Sequence, residues 1–214
     1  MARPDSRIRP ASIARLGMRF VAHVLIVSGV MLLANAGVTV AWQEPVSAVT
    51  AKREQIQLEE ALTSPPERVR RKQPLPGDAI GKIELPSLDK SFFVVEGTET
   101  EGLRRGPGHY ADTPLPGDRG TVAIAGHRTT YGAPFRNIDK LAPGDRIVVS
   151  MPYGRYIYRV ETTKIVPPTA LWVKRRVSYD RLILSACHPL YSAAERIVVF
   201  AKASARRAPD VKRR

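Results

Sequence analysis

Between Ala79 and Lys202 no apolar run continues for long before a turn residue stops it. AIGKIEL (79–85) halts at Pro86, and SFFVVEG (91–97) closes on a glycine. TVAIAG (121–126) delivers His127, and PGD (143–145) turns the chain into RIVVSM (146–151). PYGR then leads into the alternating YIYRVE (156–161), and RLILSA (181–186) and RIVVFAK (196–202) complete the series. Short β-branched runs bounded by Pro, Gly and Asp read as strands. Closing the sheet removes the open edges that many short strands would otherwise leave. The expected fold is therefore all-β, a closed or nearly closed barrel of about eight strands with short helices. Eighteen prolines argue in the same direction, against a helical bundle. Between the strands, Thr98 and Glu101 have the spacing of a capping box for one helical turn. GPGHYADTPLPGDRG (106–120) reads as loop, and APFRNIDKL (133–141) as a short helix.

A different pattern precedes the strands. Residues 20–42, FVAHVLIVSGVMLLANAGVTVAW, form an apolar run broken only by His23 and Asn35. As a helix it is long enough to cross a bilayer. Arg3, Arg7, Arg9, Arg15 and Arg19 come before it, which predicts a basic cytoplasmic tail over 1–19 and an exported C-terminal bulk. Trp42 would sit at the outer interface. ANA at 34–36 resembles a signal-peptide cleavage site, but the apolar run continues past it, which favours an uncleaved single-pass anchor. Residues 43–78 read as a stalk: AKREQIQLEEAL as a short polar helix, ended by Pro65 and Pro66, then the charged linker RVRRKQPLPGD. The folded domain spans 79–202, and 203–214 is a basic tail.

The formal charge of +14 points to anionic surroundings, either phospholipid or an acidic wall polymer. No helix-turn-helix, zinc-finger or aromatic-interleaved basic pattern supports nucleic acid. The single cysteine excludes an internal disulfide and a cysteine zinc site. His23, His109, His127 and His188 lack metal-ligand spacing, so neither metal nor cofactor is expected.

That cysteine, Cys187, follows an apolar strand and precedes His188-Pro189, where proline stops pairing. A strand terminus holds a nucleophile rigidly yet leaves it open to solvent. His127 also ends an apolar strand, and imidazole suits proton transfer near neutrality. Arg196 opens the strand after Cys187, and its permanent cation can stabilise a thiolate and an oxyanion. The turn 188–195 would keep Cys187 and Arg196 at one end of the barrel. His127 reaches that end only if its strand runs parallel to the cysteine strand. His188 ranks below His127 as a base, because neighbours in an extended segment face opposite sides, and is a candidate for binding substrate beside Cys187. His109, in a Gly/Pro loop, reads as a surface or structural residue. Segment 162–180 is long for a connection and is the expected wall of a substrate groove, with Trp172 and Val173 offering apolar contact. Lys174, Arg175 and Arg176 read as a solvated run or a contact for anionic wall polymer.

AIAGHRTTYGAPFRNID followed by LILSACHPLYSAAERIVVF resembles the sortase family, and GHRTTYGAPF with CHP its actinobacterial class E in particular. These are membrane-anchored cysteine transpeptidases of Gram-positive bacteria. The family pattern, a histidine at a strand end, T-L-x-T-C, and a later arginine at the head of the next strand, falls on His127, Cys187 and Arg196. The chain departs from it at Ile183-Leu184-Ser185-Ala186-Cys187, where only the leucine and cysteine match. Ala186 replaces the threonine thought to help position substrate or oxyanion, and only its backbone N–H could do so. The resemblance implies cleavage of an LAxTG-like or LPxTG-like C-terminal sorting signal between Thr and Gly. A thioacyl intermediate on Cys187 would then pass to a peptidoglycan-precursor amine. It also implies a monomer. The rival readings are a pilin-polymerising sortase, an L,D-transpeptidase and a non-catalytic anchored protein that binds wall polymer. No lid motif supports the first. Pro189 and Ala186 depart from the S-x-G-C-x-R pattern of the second.

Overall fold

The computed structural model describes residues 10–42 and 45–207. Two compact units divide the chain, Met1–Glu44 and Pro45–Arg214. The first holds helix α1 (Pro10–Trp42). Its apolar stretch Gly17–Thr39 has 23 residues, none of them buried. At 1.5 Å per residue such a stretch reaches about 35 Å, enough to cross a hydrocarbon core of about 30 Å. The two polar interruptions are satisfied along the helix. The His23 Nδ1 lies 2.6 Å from the Arg19 carbonyl, and Thr39 Oγ1 donates to Asn35 Oδ1 at 3.4 Å. Arg3, Arg7 and Arg9, the tail 208–214, and the side chains of Trp42, Arg206 and Arg207 lie outside the described residues.

The second unit opens with helices α2 (Pro45–Thr63) and α3 (Glu67–Arg70). Strands β1 (Ala79–Leu85) and β2 (Lys90–Glu96) follow, then helix α4 (Thr100–Arg105). The remaining strands are β3 (Gly108–His109), β4 (Thr121–Ala125), β5 (Arg146–Met151), β6 (Gly154–Val166), β7 (Arg181–His188) and β8 (Glu195–Arg207). They close into a barrel in the order β1-β2-β3-β4-β7-β8-β6-β5, so the expected eight-stranded barrel is present. Most neighbours are antiparallel, but β2–β3 and β4–β7 are parallel.

Local details differ from the sequence reading. The loop 106–120 contributes β3, and segment 133–141 forms only a single 3₁₀ turn, Ile138–Lys140. The cap of α4 is Glu99, without a side-chain bond, rather than Thr98. Strand β8 runs on past Lys202 because β6 supplies a partner as far as Arg207.

The helix expected within residues 43–78 forms as α2, and it lies against the barrel. Ala51, Gln55, Leu58 and Leu62 recur at helical spacing and make one face. Leu58 is wholly buried in a cluster with Ala79 and Val95, and Leu62 and Phe93 pack onto it. Gln55 behaves like an extra strand residue beside β2. Its Nε2 donates to the Phe93 carbonyl at 3.0 Å, and its Oε1 accepts from the Phe93 N–H at 2.7 Å. Val69 of α3 joins the main core, and Arg68 grips Asp78 with two bonds of 2.8 and 2.7 Å. Leu58→Ala should therefore cost about 2–5 kcal/mol of stability, read as a lower midpoint in chemical denaturation. A helix merely tethered to the barrel would give a change near zero.

Core packing fixes which way each strand faces. Val122, Ile124, Leu182, Leu184, Ala186, Ile197, Val199 and Ala201 belong to the cluster that fills the barrel. Their neighbours Ala123, Ile183, Val198 and Phe200 join a second cluster with Val166, Ala170 and Val173. Both faces of β4, β7 and β8 are thus covered, which explains why these strands read as continuous apolar runs.

Candidate active site

The alternation that builds the two clusters also aims the three singled-out side chains. Side chains on a strand alternate between faces. Cys187 continues the outward row of Ile183 and Ser185, and Arg196 begins the outward row of Val198 and Phe200. The two are direct cross-strand partners in the β7–β8 ladder. β4 runs parallel to β7 with Ala125 opposite Ser185, and the Gly126 N–H donates to the Ser185 carbonyl at 3.0 Å. Two residues beyond that pair stand His127, just past the end of β4, and Cys187, within β7. The parallel relation that the sequence reading demanded of these strands is present. The site lies on the outer face of the barrel, at the ends of β4 and β7.

Glycine is required just before His127. A Cβ at Gly126 would approach the Phe135 ring to 2.6 Å. Phe135 in turn donates its N–H to the His127 carbonyl at 3.0 Å, which folds the following loop back onto the strand end. The His127 ring packs on Tyr131, with centroids 5.0 Å apart and planes tilted by 46°. Arg104 of α4 covers the Tyr131 ring at 5.6 Å. Burial, and then the positive charge of Arg104, lower the His127 pKa from its ordinary value of 6.5. Arg104→Gln removes the second cause, so the His127 pKa should rise. The limb of the activity–pH profile linked to it should move to higher pH, and imidazole chemical shifts followed by NMR would check the direction.

Cys187 is a free thiol and half-buried. Arg196 is fixed by its own turn: Nη1 donates to the carbonyls of Ala193 and Glu195, each at 3.0 Å. Its permanent charge therefore has a defined place without a carboxylate to neutralise it in those bonds.

Beside Arg196 lies a groove of about 210 Å³. The end of β6 and the β6–β7 connection form one wall through Val166, Pro167, Ala170 and Val173, and Ser185 and Tyr110 also line it. Val173 lines this groove. Trp172 is not among its lining residues: it stacks on Phe200 at 6.3 Å and 11°, with Lys164 over its ring at 5.8 Å. The Ala186 methyl points into the barrel core, so only its backbone is available near the sulfur. His188 is occupied by Arg128, whose Nη1 donates to its Nδ1 at 2.9 Å. Lys174 pairs with Asp112 at 2.6 Å and covers Tyr110 at 4.7 Å, so it belongs to the groove wall rather than to a solvated run. His109 is buried and structural, held by Glu96 at 2.9 Å and by Thr113 and the Pro114 carbonyl at 3.1 Å. A larger cavity of about 290 Å³ is lined by residues of α2, β2 and the loop after His127, but neither Cys187 nor Arg196 lines it. Sequence reasoning missed Arg104, Arg128, Tyr131 and Tyr110. The only signal for Arg128 was its place directly after His127. Among the described residues no group of three His, Cys, Asp or Glu could hold a metal ion.

A closed mixed barrel with a cysteine, a histidine and an arginine at one outer edge defines a class of protein that comparison identifies. A family model of the sortase domain matches residues 83–204, more than half of the chain, and the chain belongs to the sortase family. It is 32% identical to sortase D of Bacillus subtilis over 61% of this chain and 66% of that protein. To sortase SrtE1 of Streptomyces coelicolor it is 27% identical over 94% of this chain and 61% of that protein. The matches thus span somewhat less than two thirds of these relatives' own length. Among solved structures, SrtF of Corynebacterium diphtheriae superposes with a TM-score of 0.62 at 27% identity, covering 66% of this chain and 92% of that one. Sortase E1 of S. coelicolor, solved with a tripeptide in its active site, superposes with a TM-score of 0.59 at 29% identity, covering 63% and 93%.

Proposed function

We propose that the chain is a membrane-anchored cysteine transpeptidase acting on exported proteins. In this reading it cleaves an LAxTG-like or LPxTG-like C-terminal sorting signal between Thr and Gly and transfers the acyl part to a cell-wall amine. The observation that carries the reading is the strand register. It supports the reading because Cys187 and Arg196 are cross-strand partners, the strand before His127 runs parallel to the strand of Cys187, and Arg196 lines a groove.

The chemistry follows from what each group can do. His127, with its lowered proton affinity, rests mainly as the neutral imidazole at neutral pH. It takes the Cys187 proton as the thiolate attacks the Thr carbonyl carbon. Negative charge develops on the carbonyl oxygen, and the Arg196 guanidinium stabilises it. Collapse breaks the C–N bond. The glycine nitrogen leaves as an amine, carrying the proton from the His127 imidazolium, and a thioacyl enzyme remains. An incoming amine then attacks the thioester carbonyl and gives a proton to His127. The C–S bond breaks and the thiol is restored. The groove receives the residues before the scissile bond, with Val173 and Tyr110 in contact. Helix α1 holds the enzyme in the membrane as an uncleaved anchor with its N-terminus in the cytoplasm. The barrel works outside the membrane as a monomer, where the precursor amine is found.

The tripeptide bound in the Streptomyces sortase E1 site supports a peptide substrate for this groove. The test is incubation of the folded, reduced protein with sorting-signal peptides that differ at the second position, plus an amine acceptor such as triglycine. Mass spectrometry should find a transfer product and an acyl adduct on Cys187. Absence of both with every peptide would overturn the proposal.

A further inference from the structure

The residues that directly follow His127 and Cys187 are bonded to each other. Arg128 Nη1 lies 2.9 Å from His188 Nδ1. A guanidinium has only N–H donors, so the imidazole nitrogen accepts. Arg128 also pairs with Asp139 through Nη2 at 3.0 Å and donates Nε to the Arg136 carbonyl at 3.2 Å. All three of its nitrogens are used, and its side chain is only 3% exposed. A buried cation is costly unless it is paired and hydrogen-bonded in this way.

A second link runs beside the first. Arg136 Nη2 donates to the Tyr191 hydroxyl at 3.2 Å, and its guanidinium lies 5.8 Å from the Tyr191 ring. The loop that leaves β4 thus grips the last residue of β7 and the turn that follows it.

The position of these links gives them a role. The parallel ladder between β4 and β7 ends at Ala125 and Ser185. Beyond that point, backbone pairing to β8 still holds Cys187, whereas His127 is held by the Phe135 N–H of its own loop. The distance between imidazole and sulfur therefore depends on what joins the two chain exits after the ladder stops.

We propose that Arg128 is a positioning residue: by bonding His188 it clamps the exits of β4 and β7 and keeps His127 in reach of Cys187 through both acyl-transfer steps. This rests on the reading of His127 as proton carrier and Cys187 as nucleophile. Misplacing a reacting group by about 1 Å can lower the rate about 10²-fold, so the clamp should act on turnover rather than on peptide binding.

The experiment uses the full chain, a fluorogenic Leu-Ala-Gln-Thr-Gly peptide and triglycine, with Cys187→Ala as the blank. His188→Phe keeps a ring but loses the acceptor. Its kcat should fall about 10- to 100-fold while KM stays within about 3-fold. His188→Gln places an amide oxygen where it can accept from Arg128, and it should recover most of the loss. Arg128→Met should match His188→Phe, and the double variant should be no worse than either alone. If Arg128→Met fails to fold, the comparison of the two His188 variants decides. Equal kcat in His188→Phe and His188→Gln would overturn the clamp, as would an effect confined to KM, the mark of direct substrate contact. If the wild type transfers acyl groups and His188→Phe equals it, the clamp alone falls. If the wild type shows no Cys187-dependent transfer, the reading of the site falls and takes the clamp with it.

Discussion

Alanine in place of Cys187 is expected to abolish acyl transfer, a loss of about 10⁶-fold by comparison with nucleophile deletions in other acyl-transfer enzymes. No other thiol exists in the chain to take over. The substitution removes a single sulfur from a half-buried outward position, while Ala186 and Leu184 keep the strand seated in the core. Stability should therefore change by less than about 1 kcal/mol, and thermal unfolding would check that the inactive variant is folded. The acyl adduct should vanish with the activity. Transfer within tenfold of the wild type would mean that the sulfur is a bystander and that the site lies elsewhere.

His127→Ala should lower kcat/KM by about 10² to 10⁴, the range that general acid–base catalysis supplies. The nucleophile remains, so a slow reaction survives. The pH profile distinguishes this from a loss of packing on Tyr131. In the wild type, burial and Arg104 hold the imidazole below its ordinary range. The imidazolium share then falls as pH rises through that lowered value, and a limb of the profile should report it. In His127→Ala that limb should be gone. A variant that is slower by the same factor at every pH would show that His127 only supports the fold. Arg104→Gln then offers the opposite perturbation, displacing the limb while leaving the proton carrier in place.

Much of the barrel could be read from the chain because its strands are specified locally. RLILSA and RIVVFAK are apolar on both faces and bounded by turn residues, and both appear as central strands with a cluster on each side. The two-residue turn between Met151 and Gly154 closes the β5–β6 hairpin where PYGR marked it. By contrast, β3 has only two residues in a Gly/Pro stretch and exists because β2 and β4 present free edges on either side. No local pattern could announce it. The docking of α2 had a faint local signal in the spacing of Ala51, Gln55, Leu58 and Leu62. The many charged residues around that stripe hid it, and it takes Val95 and Phe93 of the barrel to make the stripe a buried face.

The candidate site divides in the same manner. Cys187, His127 and Arg196 stood out because each ends or begins a recognisable strand. That Trp172 turns away onto Phe200 while Val173 enters the groove was decided by one 3₁₀ turn, Leu171–Lys174, whose rotation depends on what it packs against. The Arg128–His188 bond likewise joins two residues whose individual contexts are unremarkable turn and strand ends.

By itself the sequence determined the element types: a membrane-length helix, short strands with their faces, and the three residue types at strand termini. Hydrophobic period and turn chemistry act over a few neighbouring residues, so they survive without any knowledge of the rest of the chain. Only the tertiary structure decided that β4 lies parallel to β7, that the site opens on the outer face, and that α2 covers β1 and β2. Those outcomes depend on pairings between distant segments, which are selected by closing one barrel around one core rather than by any segment's own preference.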